Sequence, residues 1–222
     1  LVEATAICRD GKCVSVAVTN VRSFVAMLGA PVEVEGQGTM SVDIAYGGAF
    51  FALVDSRSLG FALTASEARE LVEIGEVIKA AVVEQHPVFH PENPDIHTVT
   101  FTEFAEPDHV NEAGHKSGRN AVVISPGKID RSPCGTGSSA RLAVLYARGQ
   151  ITEGESFVSV SPIDTEFQCR IIGTAMVGGE LAVVPVIVGR AWVTGRHEFG
   201  LDPSDPFPEG YTLSDTWYRA LS

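Results

Sequence analysis

Short apolar runs broken by Gly and Pro make up most of this chain, and two longer stretches carry apolar residues at helical spacing. Residues 2–7 and 14–18, on either side of Asp10-Gly11, predict a β-hairpin, because Asp-Gly is a preferred two-residue turn. Gly and Pro cluster at Gly29-Ala30-Pro31 and Gly36-Gln37-Gly38. Strands are expected over residues 41–46 and 49–54, with a turn or bulge at Gly47-Gly48 between them. Thr64-Ala65-Ser66-Glu67 is a capping box, in which hydroxyl and carboxylate satisfy each other's orphan amides. It opens a helix to about Glu84 whose apolar face is Ala68, Leu71, Val72, Ile78 and Val82, and His86-Pro87 ends it.

A strand is predicted over residues 97–104, then a polar surface loop over 106–118 with His109 and His115 in solvent, then a buried strand over 121–124. A ten-residue loop, Ser125 to Cys134, leads to a second helix over 137–148, stopped by Gly149. Strands follow at 157–160, 167–172, 181–187 and 191–194, and the tail from Leu201, with Pro203, Pro206 and Pro208, reads as extended. Many short strands with two helices point to an α+β fold.

At 222 residues the chain is long enough to bury a core without metals or disulfide staples. Its net charge of −12 argues against nucleic acid or an anionic membrane as partner, and no apolar run approaches the roughly 20 residues that span a bilayer. Leu1 in place of an initiating Met reads as a fragment or a processed product. Four dispersed cysteines, Cys8, Cys13, Cys134 and Cys169, fit reduced thiols of the cytoplasm. Cys8 and Cys13 should face each other as a non-hydrogen-bonded pair one step from the turn, either as two small apolar residues or as a redox pair.

Chemistry concentrates in Asp130-Arg131-Ser132-Pro133-Cys134-Gly135-Thr136-Gly137-Ser138-Ser139-Ala140. The helix that follows is apolar nearly all round, so it should be buried in the middle of the domain. Its N-terminus offers free N–H groups and the positive end of the macrodipole, and Gly135 and Gly137 let a carboxylate or phosphate approach. Cys134, just before that end, is expected to have its pKa lowered towards neutrality. Asp130 stands near enough to meet a substrate ammonium or to orient the thiol. A thiol poised beside a carboxylate nest suits proton transfer at the α-carbon of an amino acid.

Three other readings compete for the same residues. Gly135-x-Gly137-x-x-Ala140 matches a dinucleotide fingerprint, with Glu153 and Glu155 near the acidic position, but ten residues separate it from the preceding strand. A Cys–His hydrolase would need a base that no histidine position singles out. An incidental cysteine at a helix cap is the third.

The segment Asp130–Gly137 resembles the second catalytic motif of the proline racemase family, which includes hydroxyproline epimerases and related dehydratases. Tyr46-Gly47-Gly48-Ala49-Phe50-Phe51, Arg119-Asn120, Pro126-Gly127-Lys128, Gly189-Arg190-Ala191-Trp192-Val193-Thr194-Gly195 and Asp205-Pro206-Phe207 resemble further family segments in order, across nearly the whole chain. The resemblance implies a cofactor-independent racemase or epimerase of proline or hydroxyproline, with one thiol on each face of the α-carbon. Cys134 then matches one acid/base, Gly135 and Thr136 the carboxylate cradle, Asp130 the residue near the imino nitrogen, and His97 a substrate-contacting histidine or an ordinary strand-end one. Tyr46, Phe50 and Phe51 would line the pocket or pack in the core. No metal is implied. The partner is a small imino acid, with a homodimer as one arrangement.

The family's first motif, of Cys-Gly-His-Gly type, is missing, and Cys8, Cys13 and Cys169 do not precede Gly-rich helix starts. The resemblance therefore implies mostly the second of two pseudo-symmetric domains of a diaminopimelate-epimerase-like fold. Residues 1–22 would be edge strands of the first domain, 23–195 the second domain, and 196–222 a return to the first. Such a chain should lack half the site and, alone, not racemise. Family dehydratases of 3-hydroxyproline tend to replace the cysteine of this second motif, so Cys134 favours epimerisation. From another class altogether, a module that binds an amino-acid carboxylate without turnover is the alternative.

Overall fold

In the computed structural model, residues 2–211 are described. The chain divides into two compact units, Leu1–Arg190 and Ala191–Ser222. The first begins with the hairpin β1 (Glu3–Arg9) and β2 (Lys12–Thr19), then β3 (Ser23–Val34), β4 (Gly38–Tyr46) and β5 (Phe50–Asp55). Helix α1 (Ala68–Gln85) follows a short 3-10 turn, Ala65–Glu67, which holds the expected capping box. Next come β6 (Val99–Ala105), β7 (His109–Val110), β8 (Lys116–Ile124), β9 (Lys128–Ile129), α2 (Gly135–Ala147), β10 (Ser156–Val160), β11 (Glu166–Val177) and β12 (Glu180–Gly189).

Eight strands run in the order β3-β4-β5-β6-β8-β10-β11-β12, and β12 pairs back onto β3 through Ala182↔Phe24 and Val183↔Ser23. The sheet thus closes into a barrel. Two of its pairings are parallel, β5 with β6 and β8 with β10, and each is bridged by one helix, α1 and α2 respectively. The strands between them are apolar on both faces because each face has a helix to cover. Ile44, Ala52, Val54, Phe104 and Val123 pack with Leu71, Ile78 and Val82 of α1. Their neighbours of opposite parity, Ala45, Phe51, Leu53 and Val122, pack with Cys134, Ala140 and Val144 of the α2 region. The other side of α2, with Leu142, Ala143 and Leu145, meets Phe157, Ile171, Val183 and Ile187.

Helix α2 is therefore the buried central helix that its composition predicts, with every residue from Gly137 to Leu145 buried. Each large aliphatic side chain enclosed this way contributes about 1.5–3 kcal/mol. The charge on α2, Arg141, is compensated in place. It donates to the carbonyls of Arg119 (3.1 Å) and Glu106 (2.5 Å), pairs with Asp108 at 2.7 Å and lies 5.0 Å over the Phe157 ring.

Several expectations need correction. The Gly/Pro cluster at residues 29–31 lies inside the twelve-residue strand β3, whose pairing with β4 shifts register between Val25 and Met27 and again between Met27 and Ala30, while Pro31 pairs in register with Ser41. The supposed surface loop 106–118 contains β7, which pairs with the start of β8. Residues 191–194 form no strand, and Trp192 and Val193 are exposed. Nor is the tail uniformly extended, since Asp202 accepts from Ser204 and Asp205 from Phe207 in consecutive turns; residues 212–222 lie outside the described residues. Cys8 and Cys13 are register partners as expected, and both are exposed free thiols. Among the described residues no helix is long and apolar enough to cross a membrane.

The β4–β5 turn touches α2 directly. A Cβ at Gly47 would strike the carbonyl of Thr136 and come within 2.6 Å of the Ala140 nitrogen, both backbone atoms. Gly47→Ala is accordingly expected to cost about 3 kcal/mol in urea unfolding, because strand and helix must separate. A loss below about 1 kcal/mol would show that the turn yields instead.

Candidate active site

The loop entering α2 is built by short hydrogen bonds from strand β8 outward. Strand β9 pairs with β8, and Asp130 N–H donates to the Val122 carbonyl at 3.0 Å. The Asp130 carboxylate accepts from both the N–H and the hydroxyl of Ser132, each at 3.0 Å, a tight Asx turn. Ser132 Oγ in turn accepts from Cys134 N–H at 3.1 Å. The Pro133 carbonyl takes hydrogen bonds from Asn120 Nδ2 (2.9 Å) and Ser138 Oγ (3.0 Å). Held from both sides, Cys134 adopts φ 58°, ψ 108°, a conformation that costs a non-glycine residue on the order of 1–3 kcal/mol.

Cys134 is the N-cap of α2, and its sulfur accepts from Gly137 N–H at 3.4 Å and lies 3.5 Å from the Thr136 hydroxyl. Gly135 and Thr136 are the first helical residues, so their N–H groups have no acceptor within the helix. A Cβ at Gly135 would meet nothing within 4 Å, so there is open space beside the start of the helix. An anion fits there, at the positive end of the helix. The opposite side of the helix start is crowded, since a Cβ at Gly137 would lie 2.7 Å from Glu103 Oε2 and 3.3 Å from Cys134 Sγ. Asp130 and Arg131 also line a groove of about 510 Å³ against Ala68, Arg69 and Val72 of α1.

The expected lowering of the thiol pKa is not found. Cys134 is only 8% exposed, and burial pushes its pKa up to about 11. The negative charges of Glu103 and Asp130 add to the rise, while the Thr136 and Gly137 hydrogen bonds offset part of it. Removing the sulfur from water outweighs the dipole of the helix. Glu103 is raised too, to about 7, by complete burial against the attraction of Arg141 and a hydrogen bond from Asn120.

The other expected residues are distributed unevenly. Asp130, Gly135 and Thr136 share the loop and helix start with Cys134. His97 is exposed, with Nδ1 3.1 Å from the Asp95 carbonyl, two residues before Val99. Because Val99 pairs with Phe50 at the parallel start of β5 and β6, His97 stands at the same barrel end as Gly48, whose Cβ would touch Thr136. Tyr46 and Phe50 belong to an aromatic core cluster with Phe24, and Phe51 packs in the apolar cluster that contains Cys134. The dinucleotide reading fails, since Gly135–Ala140 is the first part of α2 and β8 ends at Ile124 without entering it. The hydrolase reading finds no support either: among the described residues no histidine hydrogen-bonds to Cys134.

Glu103 and Asn120 are the residues that sequence reasoning passes over as parts of the site. One signal was present: Glu103 has the inward parity of an apolar strand, between Thr102, which bonds α1 through the Gly75 carbonyl, and Phe104.

Residues 1–212 match the sequence pattern of one family, described as proline racemase. The chain belongs to the proline racemase family. Two solved members resemble it closely. A probable proline racemase from Agrobacterium radiobacter K84, crystallised with carbonate, is 40% identical, with TM-score 0.83 over 97% of this chain and 62% of that one. A hydroxyproline epimerase from Agrobacterium vitis, with bound trans-4-hydroxy-L-proline, is 42% identical, with TM-score 0.84 over 97% of this chain and 61% of that one. The chain thus spans about three-fifths of the length of these two relatives.

The electrostatics of this proline racemase-family site set a pH dependence of stability. Glu103, Cys134 and Cys169 are all raised, to about 7, 11 and 12, so the folded chain holds their protons more tightly than the unfolded one. A raised group's contribution is complete below its ordinary value and is lost as pH climbs through the folded one. For Glu103 that window runs from 4.5 to about 7. Unfolding free energy is expected to fall by about 2–3 kcal/mol between pH 5 and pH 8, read by urea denaturation. A second decline should follow above pH 9, from the thiols. A level profile from pH 5 to 8 would mean that Glu103 is not proton-loaded.

Proposed function

We propose that this chain carries one half of a cofactor-independent amino-acid racemase or epimerase, acting on proline or hydroxyproline by proton transfer through Cys134. Its barrel would be one domain of a diaminopimelate-epimerase-like architecture. The observation that carries this reading is the sulfur at the N-cap of a buried helix whose first residue, Gly135, has open space where a side chain would stand. The bound trans-4-hydroxy-L-proline of the Agrobacterium vitis relative supports the substrate class.

The substrate carboxylate would sit on the N–H groups of Gly135 and Thr136, where the helix dipole also steadies the charge that develops during reaction. Asp130 would meet the imino nitrogen. As base, the Cys134 thiolate takes the α-proton: the C–H bond breaks, an S–H bond forms, and the electron pair passes to the α-carbon and its carboxylate. As acid, the thiol returns a proton to the same face. Inversion needs a second acid on the opposite face. We assign that role to none of the other cysteines, because Cys8 and Cys13 lie on an exposed hairpin and Cys169 is buried beside α2.

The test is incubation of this chain with L-proline and trans-4-hydroxy-L-proline in D2O, followed by NMR at the α-position. Deuterium is expected to enter without full racemisation, and the rate should rise about tenfold per pH unit from 7 to 10, since the thiolate is scarce below its raised pKa. Cys134→Ser should abolish exchange. Exchange that persists in that variant would remove Cys134 from the chemistry, and rapid racemisation by the chain alone would overturn the one-thiol assignment.

A further inference from the structure

Glu103 lies under the helix start, on the face of β6 turned into the barrel, and is fully buried. One carboxyl oxygen, Oε1, accepts from Asn120 Nδ2 at 2.9 Å. The same amide nitrogen donates to the Pro133 carbonyl, immediately before Cys134, also at 2.9 Å. Asn120 Oδ1 accepts from Ser159 Oγ at 3.2 Å, and Ser159 Oγ lies 2.9 Å from Ser138 Oγ. Every polar atom of this chain of side chains has a partner except one. Glu103 Oε2 is buried and has no hydrogen-bond partner among the described residues. That oxygen and the Cys134 sulfur crowd the same face of the Gly137 α-carbon.

An unpartnered carboxylate oxygen in a dry interior is costly, whereas a protonated one is less so. Two negative charges around one α-carbon are costlier still. The ionisable groups facing this place are few. Arg141 of α2 attracts a negative charge but is committed to Asp108 and two carbonyls; Cys169 of β11 is a buried thiol; Asp130 is bonded to Ser132.

We propose that Glu103 and Cys134 act as a coupled acid pair that holds at most one negative charge near neutral pH, with Glu103 as the positioning residue whose charge sets the pH at which the thiol ionises. The inference rests on Cys134 being the acid/base group, and it adds a residue on β6 to the site. Asn120 joins the pair mechanically, since it ties the carboxyl to the carbonyl preceding the cysteine. Gly137 makes the arrangement sterically possible, because any side chain there would push Oε2 and the sulfur apart. When Glu103 is ionised the thiol is held protonated, and when Glu103 is neutral a thiolate meets less repulsion.

The test needs no turnover. Alkylation of Cys134 by iodoacetamide is followed against pH, with the Cys134 peptide quantified by mass spectrometry apart from those of Cys8, Cys13 and Cys169. In Glu103→Gln the half-maximal pH is expected to fall by a unit or more, and in Glu103→Asp, which keeps the charge but withdraws it, by less. Infrared spectra of the wild-type chain should show a protonated carboxylic acid band at pH 6 that disappears by pH 8.5 and is absent from Glu103→Gln. Coincident alkylation profiles in wild type and both variants would overturn the proposal. So would the absence of the acid band at pH 6, a measurement that stands even where a variant fails to fold. Coincident profiles together with proline exchange that needs Cys134 would discard the pair and keep the function. Shifted profiles without exchange would do the reverse.

Discussion

An α-helix without a polar face has nowhere to sit in water, and α2 is such a helix. The barrel exists around that constraint. Strands β4, β5 and β8 are apolar on both faces because α1 covers one side of them and α2 fills the other, and closure of β12 onto β3 completes the enclosure. Enclosure leaves one part of α2 with unmet polar groups, its N-terminal turn. Cys134, Gly135 and Thr136 are at that turn. The same apolar burial that stabilises the domain therefore leaves free amides at that end.

Burial and dipole act on the thiol in opposite directions, and their relative size decides its state. A helix terminus at a protein surface lowers a neighbouring thiol's pKa. Here the sulfur is nearly enclosed, its desolvation is the largest influence, and the value rises to about 11. A thiol raised in this way rests in its protonated form near neutral pH.

Much of this was legible in the residue pattern. The Asp10-Gly11 hairpin, the Thr64–Glu67 capping box and the all-round apolar stretch after Gly137 are local signals, set by interactions among near neighbours, and each appears where the pattern places it. The misses are non-local. Strand β3 runs through the Gly29-Ala30-Pro31 cluster, with a register shift against β4 just before Ala30. The Cys134 backbone has a positive φ that no Gly or Asn announces; it follows from bonds made by Asp130, Ser132 and Asn120 around it. Glu103 and Asn120 are 17 residues apart in the chain and meet only because β6 pairs with β8.

The closure of the barrel is narrower than its other seams. Strand β12 gives β3 only Ala182 and Val183, then turns its later residues, Val186 to Gly189, to the hairpin strand β2. Between the two, Asn20 N–H reaches the Pro185 carbonyl, while the Asn20 side chain clasps Gly47 and Ser139. A wall that parts must part somewhere, and a two-pair seam beside a branching strand is where native fluctuations concentrate. Amide protons at Ser23 and Phe24 should thus trade with solvent ahead of those in the long β11–β12 ladder. Because Ser139 belongs to α2, such breathing would carry through Asn20 to the helix itself, so the looseness of one short seam is felt at the end where the sulfur waits.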